Sequence, residues 1–156
     1  MPKLEIRYAE SADDAKMIHQ FLILVAYPQM HCPLNFMKSW TEVHRVVTEE
    51  IGLMAFLDGE FVGTLGLMTV PWWYGDGEFM TDRWFFTFPA LANRGIGATL
   101  LAEAAVIGLS ANLPLIIHGK TKKRALQAGG IEFVRPFVVL PGQKVDFSTA
   151  ERQLSM

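Results

Sequence analysis

The stretch "GLMAFLDGEFVGTLGLMTV", residues 52–70, constrains the fold more than any other part of the chain. Two apolar runs meet at Asp58-Gly59, a dipeptide that accepts the left-handed backbone of a two-residue hairpin turn. The stretch therefore predicts two neighbouring antiparallel strands. A glycine- and aromatic-rich loop follows, "PWWYGDGE" at 71–78. Residues 79–88, "FMTDRWFFTF", then read as a third strand closed by Pro89. These segments form a three-stranded meander.

Before the meander, residues 3–9 alternate as a short strand does. "ESADDAKMIHQFLILVAY" keeps helical spacing at Met17, Phe21, Leu22 and Val25, with Ser11 as cap and Asp14 as its capping-box partner. A second helix is expected over about 35–49. After the meander come a helix from about 96 to 110, a buried strand in "LPLIIHG", a short basic helix at about 120–128 and one or two strands in "GGIEFVRPFVVL". This order predicts one α/β domain over residues 1–156 with a mixed sheet.

Composition agrees with a packed single domain, since 51% of the 156 residues are apolar and 19% charged. A formal charge of −2, with "KTKKR" at 120–124 as the longest basic run, argues against a nucleic-acid partner. The one cysteine, Cys32, excludes an internal disulfide and favours a reducing compartment. The first residues lack a signal peptide's apolar core. Residues 95–117 are long enough to span a membrane but carry Glu103, early glycines and Pro114, so they read as core helix and strand. The expectation is a cytoplasmic protein with no membrane partner.

"PALANRGIGATLL" places a strand end, a loop and two glycines before that apolar helix. Unpaired amides and the helix dipole meet there, as a phosphate group requires. The glycines serve either a simple turn or the approach of a ligand to the backbone. The order of elements, the "DGEFVGTLGL" hairpin and "FFTFPALANRGIGATLL" together resemble the GCN5-related N-acetyltransferase (GNAT) family over roughly residues 3–140. The resemblance implies a mixed, mostly antiparallel sheet flanked by helices and splayed between strands 4 and 5. It also implies acetyl-CoA (coenzyme A) as cofactor. The amides of Arg94, Gly95, Ile96, Gly97, Ala98 and Thr99 would hold its pyrophosphate. The backbone of Phe86, Thr87 and Phe88 would pair with the pantetheine arm. The activity implied is acetyl transfer to an amine of a small molecule or protein by direct attack on the thioester.

Three positions depart from the family pattern. Ala92 stands where the loop motif has Arg or Gln. Trp84 stands where many members have an acidic base on the fourth strand. Leu126 or Ala125 replaces the tyrosine that protonates the leaving thiolate. Asp82, two residues before Trp84 and so expected on the same strand face, is a candidate base, or else a solvated strand-end carboxylate. His118, at the end of the strand bordering the thioester gap, is a candidate proton carrier, or else a structural hydrogen-bonding residue. With these losses, a degenerate protein of the same fold that binds coenzyme A or a protein partner is the alternative reading.

"GKT" at 119–121 lacks the glycine spacing of a P-loop. Lys120, Lys122, Lys123 and Arg124 face either solvent or the 3′-phosphate of coenzyme A. His19, His31 and His44 lack ligand spacing, so no metal is expected, and His31 and Cys32 are no catalytic pair. Trp72, Trp73 and Tyr74, beside Asp76 and Glu78, form either the wall of an acceptor pocket for a cationic amine, a core contact or a homodimer contact.

Overall fold

The computed structural model describes residues 2–30, 32–91 and 94–118. The elements in chain order are β1 (Leu4–Tyr8), α1 (Ala12–Val25), α2 (Phe36–Glu49), β2 (Ile51–Leu57), β3 (Glu60–Pro71), β4 (Glu78–Thr87), α3 (Ile96–Ala111) and β5 (Leu115–Ile116). They build a five-stranded sheet in the order β1-β2-β3-β4-β5. The first four strands pair antiparallel, and β5 joins β4 in parallel. Asp58 (φ 50°) and Gly59 (φ 84°) make the hairpin turn with the expected left-handed backbone. The expected basic helix at 120–128 and the strands after it lie outside the described residues.

Successive strand residues point to opposite faces, and the two faces collect separate cores. Leu53, Leu65, Leu67 and Met80 pack against Ile96, Leu100 and Ala104 of α3. Met54 and Trp84 pack against Ala15 and Ile18 of α1 and Val43, Val46 and Val47 of α2. The sheet is therefore covered on both sides. The nearly uncharged α3 places Ile96, Leu100, Ala104 and Gly108 on one buried stripe, at the spacing of one helix face.

The start of α1 is fixed by an ion pair that joins it to β1. Ser11 Oγ accepts the Asp14 N–H at 3.1 Å, as a cap does. The Asp14 carboxylate accepts the Glu10 N–H rather than closing the expected capping box on Ser11. Its two oxygens also take Nη1 and Nη2 of Arg7, at 2.9 and 2.8 Å. The guanidinium holds the Asp14 carboxyl far below the usual carboxylate range, assisted by the amide donors and opposed by burial.

The decisive local feature lies in β4. Leu67 pairs with Asp82 and Gly66 with Trp84, so Arg83 is an extra residue facing no partner: a β-bulge. The bulge reverses the alternation along the strand. Asp82 shares the α3 face with its pair mate Leu67, whereas Arg83 reaches Glu42 of α2 at 3.2 Å and Trp84 is buried in the α1/α2 core. Asp82 and Trp84 are thus on opposite faces, which corrects the expectation that a two-residue step keeps them together. The Trp84 ring lies over Gly66, and its Nε1–H donates to Thr64 Oγ1 at 2.9 Å. Thr64 in turn donates to the Leu53 carbonyl.

Two predictions follow from this packing. A Cβ on Gly66 would sit 2.5 Å from Trp84 Cε2, and the indole is tethered through Nε1 and cannot retreat. Gly66→Ala should therefore destabilise the fold by about 2 kcal/mol or more, measured by urea unfolding; an unchanged midpoint would refute this packing account. His19, 3% exposed between Phe36 and Trp40, donates Nε2–H to Ser39 Oγ, whose own proton goes to the Phe36 carbonyl. Burial lowers its pKa from the ordinary 6.5. The folded state thus favours neutral imidazole, and this stability is complete above pH 6.5 and lost as pH falls below it. Unfolding curves at pH 7.5 and 5 should differ more for the wild type than for His19→Gln. Asp14 titrates in a lower window and does not contribute to that difference.

Candidate functional site

The loop between β4 and α3 presents a backbone surface. Gly95 is the N-cap of α3, in a left-handed conformation (φ 78°, ψ 5°) that favours glycine. Having no side chain, it offers no capping oxygen to the helix amides, unlike Ser or Asp at this position. Among the described residues, no acceptor meets the N–H groups of Ile96, Gly97 and Ala98. The Thr99 amide is already used, because it and the Thr99 hydroxyl both donate to the Gly95 carbonyl. The Arg94 amide donates to the Leu91 carbonyl at 3.3 Å, and its residue is exposed. Ile96 turns its side chain into the α3 core at 2% exposure and Gly97 is buried beside it, while Ala98 and Thr99 are exposed. Ala92 lies outside the described residues.

Beside this helix start runs an open strand edge. The β4–β5 ladder consists of Met80 opposite Leu115 and Thr81 opposite Ile116. β4 continues through Asp82 to Thr87, paired with β3 on one side. Its other edge has no strand partner there among the described residues. Phe88 continues the ladder to β3, where its N–H donates to Val62, and its carbonyl accepts the Leu91 N–H. Of the three residues expected to offer backbone, Thr87 turns its backbone groups to the open edge, whereas Phe86 and Phe88 turn theirs to β3.

Asp82 and His118 meet where the ladder stops. In a continuing parallel ladder the His118 N–H would donate to a β4 carbonyl. Here it donates to Asp82 Oδ1 at 3.0 Å. The same oxygen lies 2.9 Å from His118 Nδ1, and Thr81 Oγ1 lies 3.3 Å from that nitrogen. The Asp82 side chain is 12% exposed and the His118 side chain 54%. Sequence reading nominated both residues separately but missed their pairing, and missed Thr81 altogether. Thirty-six positions separate Asp82 from His118, and only the register of β4 on β5 reveals the contact.

The aromatic loop lies at the other end of β4. Trp72 folds back onto Phe79 with ring centroids 4.3 Å apart, while Trp73 (90% exposed) and Tyr74 (62%) stand in solvent, edge to face with one another. At about 3.4 Å per strand residue, the loop end at Glu78 is about 13 Å from Asp82 and about 30 Å from Thr87. Lys120, Lys122, Lys123, Arg124 and His31 lie outside the described residues, and Cys32 is exposed.

The backbone matches solved acetyltransferase structures along nearly its whole length. A GNAT family acetyltransferase of Staphylococcus aureus superposes with a TM-score of 0.62 at 16% identity, over 88% of this chain and 98% of that one. The chain has the GNAT fold. A ribosomal-protein-alanine N-acetyltransferase of Brucella melitensis matches at TM-score 0.64 and 14% identity, over 88% of this chain and 98% of that one. The aminoglycoside N-acetyltransferase AAC(6')-Iy, solved in complex with CoA, matches at 0.67 and 13%, over 92% and 97%. No family model and no curated protein matches the sequence. At such identities the likeness is one of fold.

The aromatic loop yields a direct comparison. Trp72→Ala removes a ring stacked on the sheet and should cost about 1–3 kcal/mol in chemical denaturation. Trp73→Ala removes a solvated ring and should stay within about 0.5 kcal/mol of wild type. Equal losses would contradict the exposure described here.

Proposed function

We propose that the protein is an acetyl-CoA-dependent N-acetyltransferase that moves the acetyl group to an amine of a small molecule or protein. The observation that carries this reading is the α3 N-terminus, capped by a glycine, opening beside an unpaired strand edge. The amides of Ile96, Gly97 and Ala98, with Gly95 and the Arg94 guanidinium beside them, are the pyrophosphate-binding groups of this reading. The free edge at Phe85 and Thr87 suits the amide-bearing pantetheine arm, which would add as a strand does, with Phe86 between them bonded to β3. Phe88 and Thr99 hold the frame through their bonds to Val62 and Gly95. The crystal structure of AAC(6')-Iy with CoA supports the choice of nucleotide.

Such a site works chiefly by placement. It fixes the thioester carbonyl near the β4 edge, so that a neutral amine attacks in a near-attack arrangement, an effect worth several kcal/mol. Trp73 and Tyr74, exposed beside Asp76 and Glu78, suit recognition of a cationic acceptor by ring faces and carboxylates. Their distance from Asp82 calls for an acceptor extended along the sheet.

The test is calorimetric titration with acetyl-CoA of wild type and Ala98→Glu. Position 98 is the third residue of α3 and exposed, where glutamate favours the helix start. The variant should therefore stay folded while setting a carboxylate against the phosphates. Saturable wild-type binding weakened at least about tenfold, or about 1.4 kcal/mol, is expected. No wild-type binding at about 1 mM acetyl-CoA, or equal binding by both proteins, would sink the proposal.

A further inference from the structure

The geometry points to His118 as the proton acceptor of this site, with Asp82 as the residue that positions it; this rests on the acetyltransferase reading above. The argument begins with the 2.9 Å separation of Asp82 Oδ1 from His118 Nδ1. A carboxylate oxygen and a bare ring nitrogen are both acceptors and repel at that distance, so a proton lies between them, on Nδ1. The same oxygen accepts the His118 backbone N–H, which fixes the residue at both its main chain and its ring. Thr81 Oγ1, at 3.3 Å from Nδ1, closes the same side of the ring. In the neutral imidazole the lone pair is therefore on Nε2, and it belongs to a side chain that is 54% exposed. This is the arrangement of a general base held in one tautomer by a carboxylate.

The charges around the pair suit the role. Among the described residues, Asp82 is the one ionisable group in hydrogen-bonding range of the His118 ring. Arg83, the next residue of β4, is turned to the opposite face, where it bridges Glu42. Asp82 is thus left to stabilise the imidazolium that forms. The placement also suits the reaction, because the pair sits at the first residue of β4 beyond the β5 ladder. It also gives Trp84 a reason for not being an acid: the bulge turns that position into the α1/α2 core.

The proton balance is simple. His118 Nε2 removes one proton from the acceptor's ammonium group and frees the amine. The amine nitrogen forms the amide bond to the acetyl carbon as the carbon–sulfur bond breaks. The amine's second proton leaves during that step, and the imidazolium returns its proton to the departing thiolate. The products are the acetylated amine, free coenzyme A and one proton released to solvent.

The experiment uses the full chain as wild type, His118→Gln and Asp82→Asn. Long-range proton–nitrogen NMR at pH 8 should find wild-type His118 protonated on Nδ1 and bare on Nε2; the opposite tautomer would overturn the assignment, whatever the activity. Both variants should bind acetyl-CoA in calorimetry within about threefold of wild type. Thiol release is then followed against a panel of primary amines, with water as the last acceptor. His118→Gln should lower kcat about 10²-fold near neutral pH without raising KM for acetyl-CoA. The deficit should shrink as rising pH frees the amine by itself. Asp82→Asn keeps an oxygen for the backbone N–H but loses the charge, so it should displace the pH profile, an effect that loss of a mere ladder cap would not produce.

The failures are distinguishable. A wild type that binds no acetyl-CoA defeats the transferase reading at the calorimetry step. A wild type that binds acetyl-CoA and turns over, with His118→Gln equal to it at every pH, defeats only the base. Bound acetyl-CoA with no thiol release to any amine or to water defeats the base as well.

Discussion

The indole of Trp84 lying over Gly66 is the contact on which the working side of this protein depends. A ring of that size fits between the sheet and the α1/α2 pair only because β3 has no side chain beneath it. Its Nε1–H must find a partner once buried, and Thr64 provides one while passing its own proton to Leu53. The extra residue in β4, Arg83, sits next to the indole. That single insertion sorts the strand. Residues after it deliver Trp84 to one core and Phe85 to the other, while Asp82 before it stays on the α3 side.

From this arrangement the rest of the site follows in sequence. The strand leaves its β5 partner after Thr81, so its last residues have an unpaired edge among the described residues. Pro89 and a short helical turn end the strand, and Gly95 reverses the backbone so that α3 starts beside that edge. The helix is held down on the sheet by Ile96, Leu100 and Ala104, and its first amides are left without protein acceptors among the described residues. Binding groups made of backbone need packing, not conserved chemistry, to hold them. This suits the site proposed above, whose groups belong to residues as plain as Ile96, Gly97 and Ala98.

Local signals in the sequence are legible where one interaction decides the outcome. Asp58-Gly59 specifies its turn, Ser11 and Asn35 cap their helices, and the Gly95–Gly97 segment marks the start of α3. Long-range geometry is not legible in the same way. Strict alternation places Asp82 with Trp84, and nothing in "FMTDRWFFTF" announces the bulge, which shows only in the pairing with Gly66 and Leu67 on the neighbouring strand. The Asp14 carboxylate bonds Glu10 and Arg7 instead of completing a capping box, since a guanidinium on β1 outweighs a local amide. The triple meeting of Thr81, Asp82 and His118 requires the strand register, which a one-dimensional reading does not contain.

The interception of the His118 amide by the Asp82 side chain has a broader consequence. A parallel ladder behaves like a zipper, and at His118 the next amide is taken by a side chain rather than by a β4 carbonyl. The partner of that amide is therefore set by the residue at position 82. An apolar residue at 82 would free the His118 amide for a β4 carbonyl, whereas an acid two residues further along β4 would stand about 7 Å from it.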